Sequence, residues 1–279
     1  MKYTLLFAAL LAIKLHAQTS LDFDKRFVQS EDKWVAFRPD KDGTYTYGFI
    51  YIDAYAGLTF NYEGTFRVLE DGKFVPAKLD TAGIKVRLTP NNVLVAFIPE
   101  NKFKELKISD PPEWLKHYRT DTGSVERLYR WGYMYNGWGE CAKALTYLQR
   151  AQKANPKYKG LRVELAYSYN CLGRYDDAIS VLKDALNDDP ADAYTNKELV
   201  FAQIKSGRLD EAAKSCKNAI AVCTDQKYNG ENCYNLLHTY FEKRDKKNFD
   251  LWLEEGRKWN VKSVPITNSI DQMEKEINK

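Results

Sequence analysis

Three glycines, Gly139, Gly173 and Gly207, stand 34 residues apart. The same interval separates Ala144, Ala178 and Ala212, then Ala151, Ala185 and Ala219, and also Pro156 and Pro190. Four series in phase confine the carboxy-terminal half to a repeated unit, one that buries its apolar face only by stacking on its neighbours. Between the fixed positions the apolar residues recur with helical spacing. Trp131 pairs with Tyr135 and Leu165 with Tyr169, with Leu148 and Leu182 on the following segments.

Each recurring residue has a physical reason. A glycine ends the first helix of a hairpin, where a left-handed backbone is needed. Alanines on the second helix let neighbouring axes approach to about 8–10 Å. The proline closes the second helix, because its ring and missing N–H do not continue one. The run Trp131-Gly132…Tyr135…Gly139…Ala144…Leu148…Ala151…Pro156 and the run Leu165-Ala166…Tyr169…Gly173…Ala178…Leu182…Ala185…Pro190 resemble the tetratricopeptide repeat family. A third unit keeps Leu199, Gly207, Ala212 and Ala219 but departs at Val200, Gln203, Cys216 and Thr224. The resemblance implies a right-handed α-solenoid over 125–263, with repeats at 125–158, 159–192 and 193–226 and a degenerate one at 230–263. A capping helix or tail follows at 264–279, opened by Ser269-Ile270-Asp271-Gln272 read as a capping box.

The family stacks its first helices around a concave groove that takes peptides. Carried onto this chain, the groove positions are Tyr129, Tyr133, Asn136, Val163, Tyr167, Asn170, Lys197 and Phe201. Tyr133, Tyr167 and Phe201 keep the 34-residue interval and form a line of rigid rings, either as anchors for a partner or as seam residues between helices. Relatives that clamp a terminal carboxylate use Lys and Asn where Tyr129, Tyr133 and Val163 stand, so such a clamp is not expected. All five cysteines fall in the helical half. For an exported chain the candidate disulfides are Cys223–Cys233, across a short loop, and Cys141–Cys171, at one end of the stack. Free buried thiols are the alternative.

The amino-terminal half has another period. Ile84, Val86 and Leu88 alternate with Lys85 and Arg87, the mark of a strand with one buried face. Similar runs at 34–37, 45–52, 58–61, 65–69 and 93–98 are separated by Asp42-Gly43, Asp71-Gly72 and Pro90-Asn91-Asn92. The expected fold is therefore two domains: a small antiparallel β domain over 18–110, sandwich or barrel, then a linker at 111–124 and the helical array. Tyr45, Tyr47, Phe49 and Tyr51 share one strand face. They form either a buried central strand or an exposed aromatic strip for a glycan or protein.

Residues 1–17 read as a signal peptide: Lys2, an apolar run at 5–13, and Ala17 before Gln18. Nine residues are too short to span a bilayer, and no transmembrane segment is expected after cleavage. Cleavage removes Lys2 and Lys14 from the 42 basic residues, leaving 40 against 38 acidic. This even, interspersed balance gives no basic face for nucleic acid. His117 and His238 begin no metal-ligand pattern, and neither a GxSxG elbow nor a phosphate loop occurs. No cofactor and no catalytic site are expected. The sequence reads as an exported, periplasmic or cell-surface scaffold for a protein or peptide partner. The alternative is a carbohydrate- or envelope-binding module with its ligand on the β domain.

Overall fold

The computed structural model describes residues 21–78, 83–119 and 122–279. The expected signal peptide at 1–17 lies outside the described residues. The chain forms two compact units that meet in sequence at Arg119 and Thr120.

The first unit holds seven strands: β1 (Lys25–Arg26), β2 (Lys33–Ala36), β3 (Tyr45–Asp53), β4 (Gly57–Val68), β5 (Phe74–Lys78), β6 (Lys85–Arg87) and β7 (Leu94–Phe97). All pairings are antiparallel. The order β1-β7-β2-β3-β4-β5, with β6 also on β4, has two ends. It is one open sheet, so the expected sandwich or barrel is not confirmed. The runs at 58–61 and 65–69 join into the single strand β4. The ladder shifts register where Tyr47 faces Gly64 and Gly48 faces Tyr62, and that bulge at Glu63 interrupts the alternation. Sequence reading missed β5, because Pro76 argues against a strand. It sits on the sheet's edge, where a missing N–H is tolerated.

The central strand β3 is buried on both faces. Tyr47, Phe49 and Tyr51 are at most 1% exposed and pack with Trp34, Phe66 and Phe74. The aromatic strip is core, not surface. On the opposite face a Cβ at Gly48 would lie 2.2 Å from the Asn61 carbonyl and 2.6 Å from the Phe60 ring, so only glycine admits that ring. The expected linker is in part structural. Residues Glu113–Tyr118 form a 3₁₀ turn, and Trp114, Leu115 and Tyr118 complete the same core as β3.

The second unit is helical: α2 (Val125–Gly137), α3 (Cys141–Ala154), α4 (Leu161–Cys171), α5 (Tyr175–Asp188), α6 (Ala193–Lys205), α7 (Leu209–Val222), α8 (Asn229–Glu242), α9 (Lys246–Asn260) and α10 (Val264–Ile277), with the short α1 (Phe103–Leu106) belonging to the first unit. Each long helix packs on its sequence neighbour, and α2, α4, α6 and α8 also touch in series. This is the expected solenoid. Ser124 Oγ accepts from the Arg127 amide and caps α2. The hairpin turns are alike. Gly139, Gly173 and Gly207 have φ of +74°, +72° and +78°, and the amides of Glu140, Arg174 and Arg208 reach back to the carbonyls of Tyr135, Tyr169 and Gln203. The fourth hairpin closes identically, Asp245 to Tyr240, but with Arg244 at φ +55° in the glycine's role. The last helix differs from expectation. It starts at Val264, with Pro265 in its first turn, where a fixed φ favours initiation. Ser269 is thus interior, its hydroxyl 3.0 Å from that of Tyr234.

Cys141 and Cys171 are joined by a disulfide, their Cα atoms 6.2 Å apart. By the chain-entropy argument, a closed loop with a sequence separation of 30 contributes about 3.5 kcal/mol. Cys223 and Cys233 are not joined. Cys233 lies one turn inside α8 and faces α7, where its sulfur is 4.0 Å from that of Cys216. The Cys223 sulfur instead accepts from Asn196 Nδ2 at 3.5 Å.

Candidate partner-binding groove

The helices α2, α4, α6 and α8 touch in series as a row of first helices, and the residues expected to line a groove belong to α2, α4 and α6. Tyr133 is 59% exposed; Tyr167 and Phe201 are half-buried. Tyr129 is half-buried, its ring 6.4 Å from that of Tyr133 and 5.1 Å from that of Tyr158. Burial, then Glu164, Tyr133 and Tyr158, push the Tyr129 hydroxyl up to about 12. A Cβ at Gly160, where φ is +81°, would lie 2.7 Å from that hydroxyl. The glycine thus lets the tyrosine lie across the start of α4.

Asn136 and Asn170 are not free groove donors. They are 3% and 5% exposed and tie one hairpin to the next. Asn136 Nδ2 donates to the Glu164 carbonyl at 3.0 Å and to its Oε2 at 2.9 Å. Asn170 Nδ2 donates to the Glu198 carbonyl at 3.2 Å and to its Oε2 at 2.8 Å. The first link has a further member, since Ser168 Oγ donates to Asn136 Oδ1 at 2.7 Å. The residue one interval after Ser168 is Ala202, and Asn170 Oδ1 is left without a partner.

These links carry charged groups. Burial pushes the Glu164 carboxyl up; the Asn136 bond opposes this and Glu198 adds to it. Lys197 Nζ lies 3.0 Å from Glu198 Oε1 and 3.4 Å from Glu231 Oε1 on α8. Burial acts to lower the Lys197 pKa, but Glu198 and Glu231 outweigh it and the ammonium is held more strongly. Tyr194 stacks obliquely on Tyr228 at 5.7 Å. Its hydroxyl is raised by burial first, then by Glu198, Glu164, Tyr167 and Tyr228. Sequence reading missed Glu164, Glu198, Tyr194 and Tyr228. The two glutamates, and the two tyrosines, are each separated by the 34-residue interval. A search for the interval among polar residues would have found them.

The first unit carries a separate cavity of about 530 Å³ lined by Asn61, Tyr62, Glu63, Gly83, Lys85, Trp114, His117 and Tyr118. Lys85 Nζ donates to the Tyr118 hydroxyl. Among the described residues no cluster of His, Cys, Asp and Glu forms a metal site, and no helix is long and apolar enough to cross a membrane.

Comparison with known families agrees with this geometry. The tetratricopeptide repeat model matches residues 139–194 and 171–222. No curated protein matches the chain. Among solved structures, MamA from MSR-1 shares 20% identity, with 54% of this chain and 84% of that one covered and a TM-score of 0.46. A thermophilic tetratricopeptide protein of Thermus thermophilus shares 20% identity over 57% and 86% of the two chains, TM-score 0.45. MamA of Desulfovibrio magneticus RS-1 shares 20% over 60% and 88%, TM-score 0.46. Residues 139–222 thus match the tetratricopeptide repeat, the unit seen in the geometry of the helical half.

Proposed function

We propose that the protein is an exported, non-catalytic interaction scaffold that receives an extended segment of a protein partner in the groove lined by α2, α4, α6 and α8. The observation that carries this reading is the row from Tyr129 and Tyr133 through Tyr167 to Tyr194 and Phe201. A rigid ring that is 59% exposed, as Tyr133 is, beside half-buried rings offers contact area with few torsions to freeze. The signal-like amino terminus and the Cys141–Cys171 bridge support passage through an oxidising, periplasmic or extracellular compartment. Glu164 and Glu198 oppose a terminal carboxylate, in keeping with the absent clamp.

The test is Tyr133→Ala, Tyr167→Ala and Phe201→Ala together in the full chain, against a partner recovered by cross-linking from the source envelope. Affinity is expected to fall by about 100-fold, as for loss of interface anchors, with helicity retained. Unchanged capture would end the groove reading. A second reading, a carbohydrate ligand on the first unit, has the cavity beside Trp114 and Tyr118 in its favour. The aromatic strip first considered for that role is buried. Envelope polysaccharide bound by the triple variant as by the parent would favour it.

A further inference from the structure

Glu164 and Glu198 occupy the same place in successive hairpins. Each is at most 5% exposed, and each carboxylate accepts from an asparagine of the preceding first helix. They differ in one respect. Glu198 is neutralised by the adjacent Lys197 at 3.0 Å, whereas the residue one interval before Lys197 is Val163. Among the described residues no lysine, arginine or histidine pairs with Glu164. Arg162, two residues earlier on α4, is engaged with Asp188 and the Asp184 carbonyl. A buried carboxylate with a single hydrogen-bond donor and no counter-ion is unfavourable. The next repeat shows what would satisfy it. Tyrosine rings stand within electrostatic reach of this carboxylate, Tyr129 and Tyr194, and ring faces attract cations.

We infer that Glu164 is the receptor for one lysine or arginine side chain of the partner's extended segment, which takes the part Lys197 plays one repeat later. This rests on the groove reading. It fixes the partner's chemistry: a cationic side chain within a chain that also covers Tyr133. Charge complementarity selects it, since a buried carboxylate without a counter-ion rejects an acidic or neutral side chain at that point.

The experiment selects a displayed library of random dodecapeptides on the full-length chain, on Glu164→Gln and on Val163→Lys. Val163→Lys places the missing cation inside the protein and leaves Glu164 in place. The unmodified chain is expected to enrich peptides with Lys or Arg at one fixed position. A synthetic lysine peptide should bind about tenfold tighter than its norleucine counterpart, the effect of one charge-assisted hydrogen bond. That advantage should vanish in both variants, with circular dichroism showing both folded. Equal binding of the lysine and norleucine peptides would overturn the inference and leave the groove reading standing. Peptides indifferent to the triple aromatic substitution would overturn both. Putrescine matching the lysine peptide would also overturn it, by assigning the site to a small amine.

Discussion

Gly132→Ala tests a close helix contact in the stack. Gly132 lies on α2, and a Cβ there would meet Leu148 Cγ at 2.3 Å, Cδ2 at 2.5 Å and Cδ1 at 3.1 Å. Carbon atoms pack at about 3.5–4.0 Å, so α2 and α3 must separate by about 1 Å or Leu148 must leave its rotamer. Leu148 has nowhere to go, being 0% exposed beside Ala144 and Tyr135, also 0% exposed. Overpacking of this kind costs about 1–3 kcal/mol, while replacing a helical glycine by alanine returns about 1 kcal/mol. With contacts as short as 2.3 Å the upper part of the overpacking range applies, about 2–3 kcal/mol, and the net expectation is destabilisation by about 1–2 kcal/mol. Gly137→Ala, in the same helix, meets no heavy atom within 4 Å and should stabilise by about 0.5 kcal/mol. Urea unfolding followed by far-ultraviolet circular dichroism separates the two. Adding Leu148→Ala to Gly132→Ala should restore part of the loss, so the pair will not be additive. A Gly132→Ala protein as stable as the parent, or strict additivity with Leu148→Ala, would refute close crossing at this point.

Three further outcomes follow from the inter-hairpin links and the thiols. Ala202→Ser supplies the hydroxyl that Ser168 gives one interval earlier, and should stabilise by about 1 kcal/mol by satisfying Asn170 Oδ1; no change in the urea midpoint would deny the equivalence of the two links. The Glu164 pKa is raised above its reference of 4.5, so ionisation weakens the fold as pH climbs from 4.5 through the raised value. Glu164→Gln should therefore be more stable than the parent at pH 7, with the difference closing in acid; a pH-independent difference would contradict burial of the charge. The contact with Cys233, then burial, raises the Cys216 thiol, and Cys216, Cys223 and Cys233 are at most 5% exposed. Mass spectrometry without reductant should show no alkylation of the native protein and three alkylated sites on unfolding; five sites would remove the Cys141–Cys171 bridge.

The helical half was legible because its recurring residues are packing residues. Gly139, Gly173 and Gly207 must take positive φ, and Ala144, Ala178 and Ala212 sit where side chains have no room, so spacing and geometry coincide. The polar links were not legible in the same way. Asn136 and Asn170 stand at positions that the family resemblance turns toward a ligand. Whether such a side chain faces solvent or the next helix depends on what stands about 28 residues later. Cys223 and Cys233 are near in sequence, but the helix that begins at Asn229 aims Cys233 at Cys216. In the first unit alternation located most strands without their partners, and it misjudged one face, since Ile84 and Val86, expected to be buried, are 54% and 47% exposed; period two also does not state which edge is paired. That is why the open order of the sheet, the edge role of Pro76 and the docking of Trp114 under β3 came only with the fold.

A photo-crosslinking residue at Tyr133, compared with one at the exposed Thr146 on α3, addresses partner binding by the row of first helices most directly. In the full chain, an adduct with the enriched lysine peptide is expected from position 133 and not from 146. Equal yields from both, or an adduct from 146 alone, would contradict it.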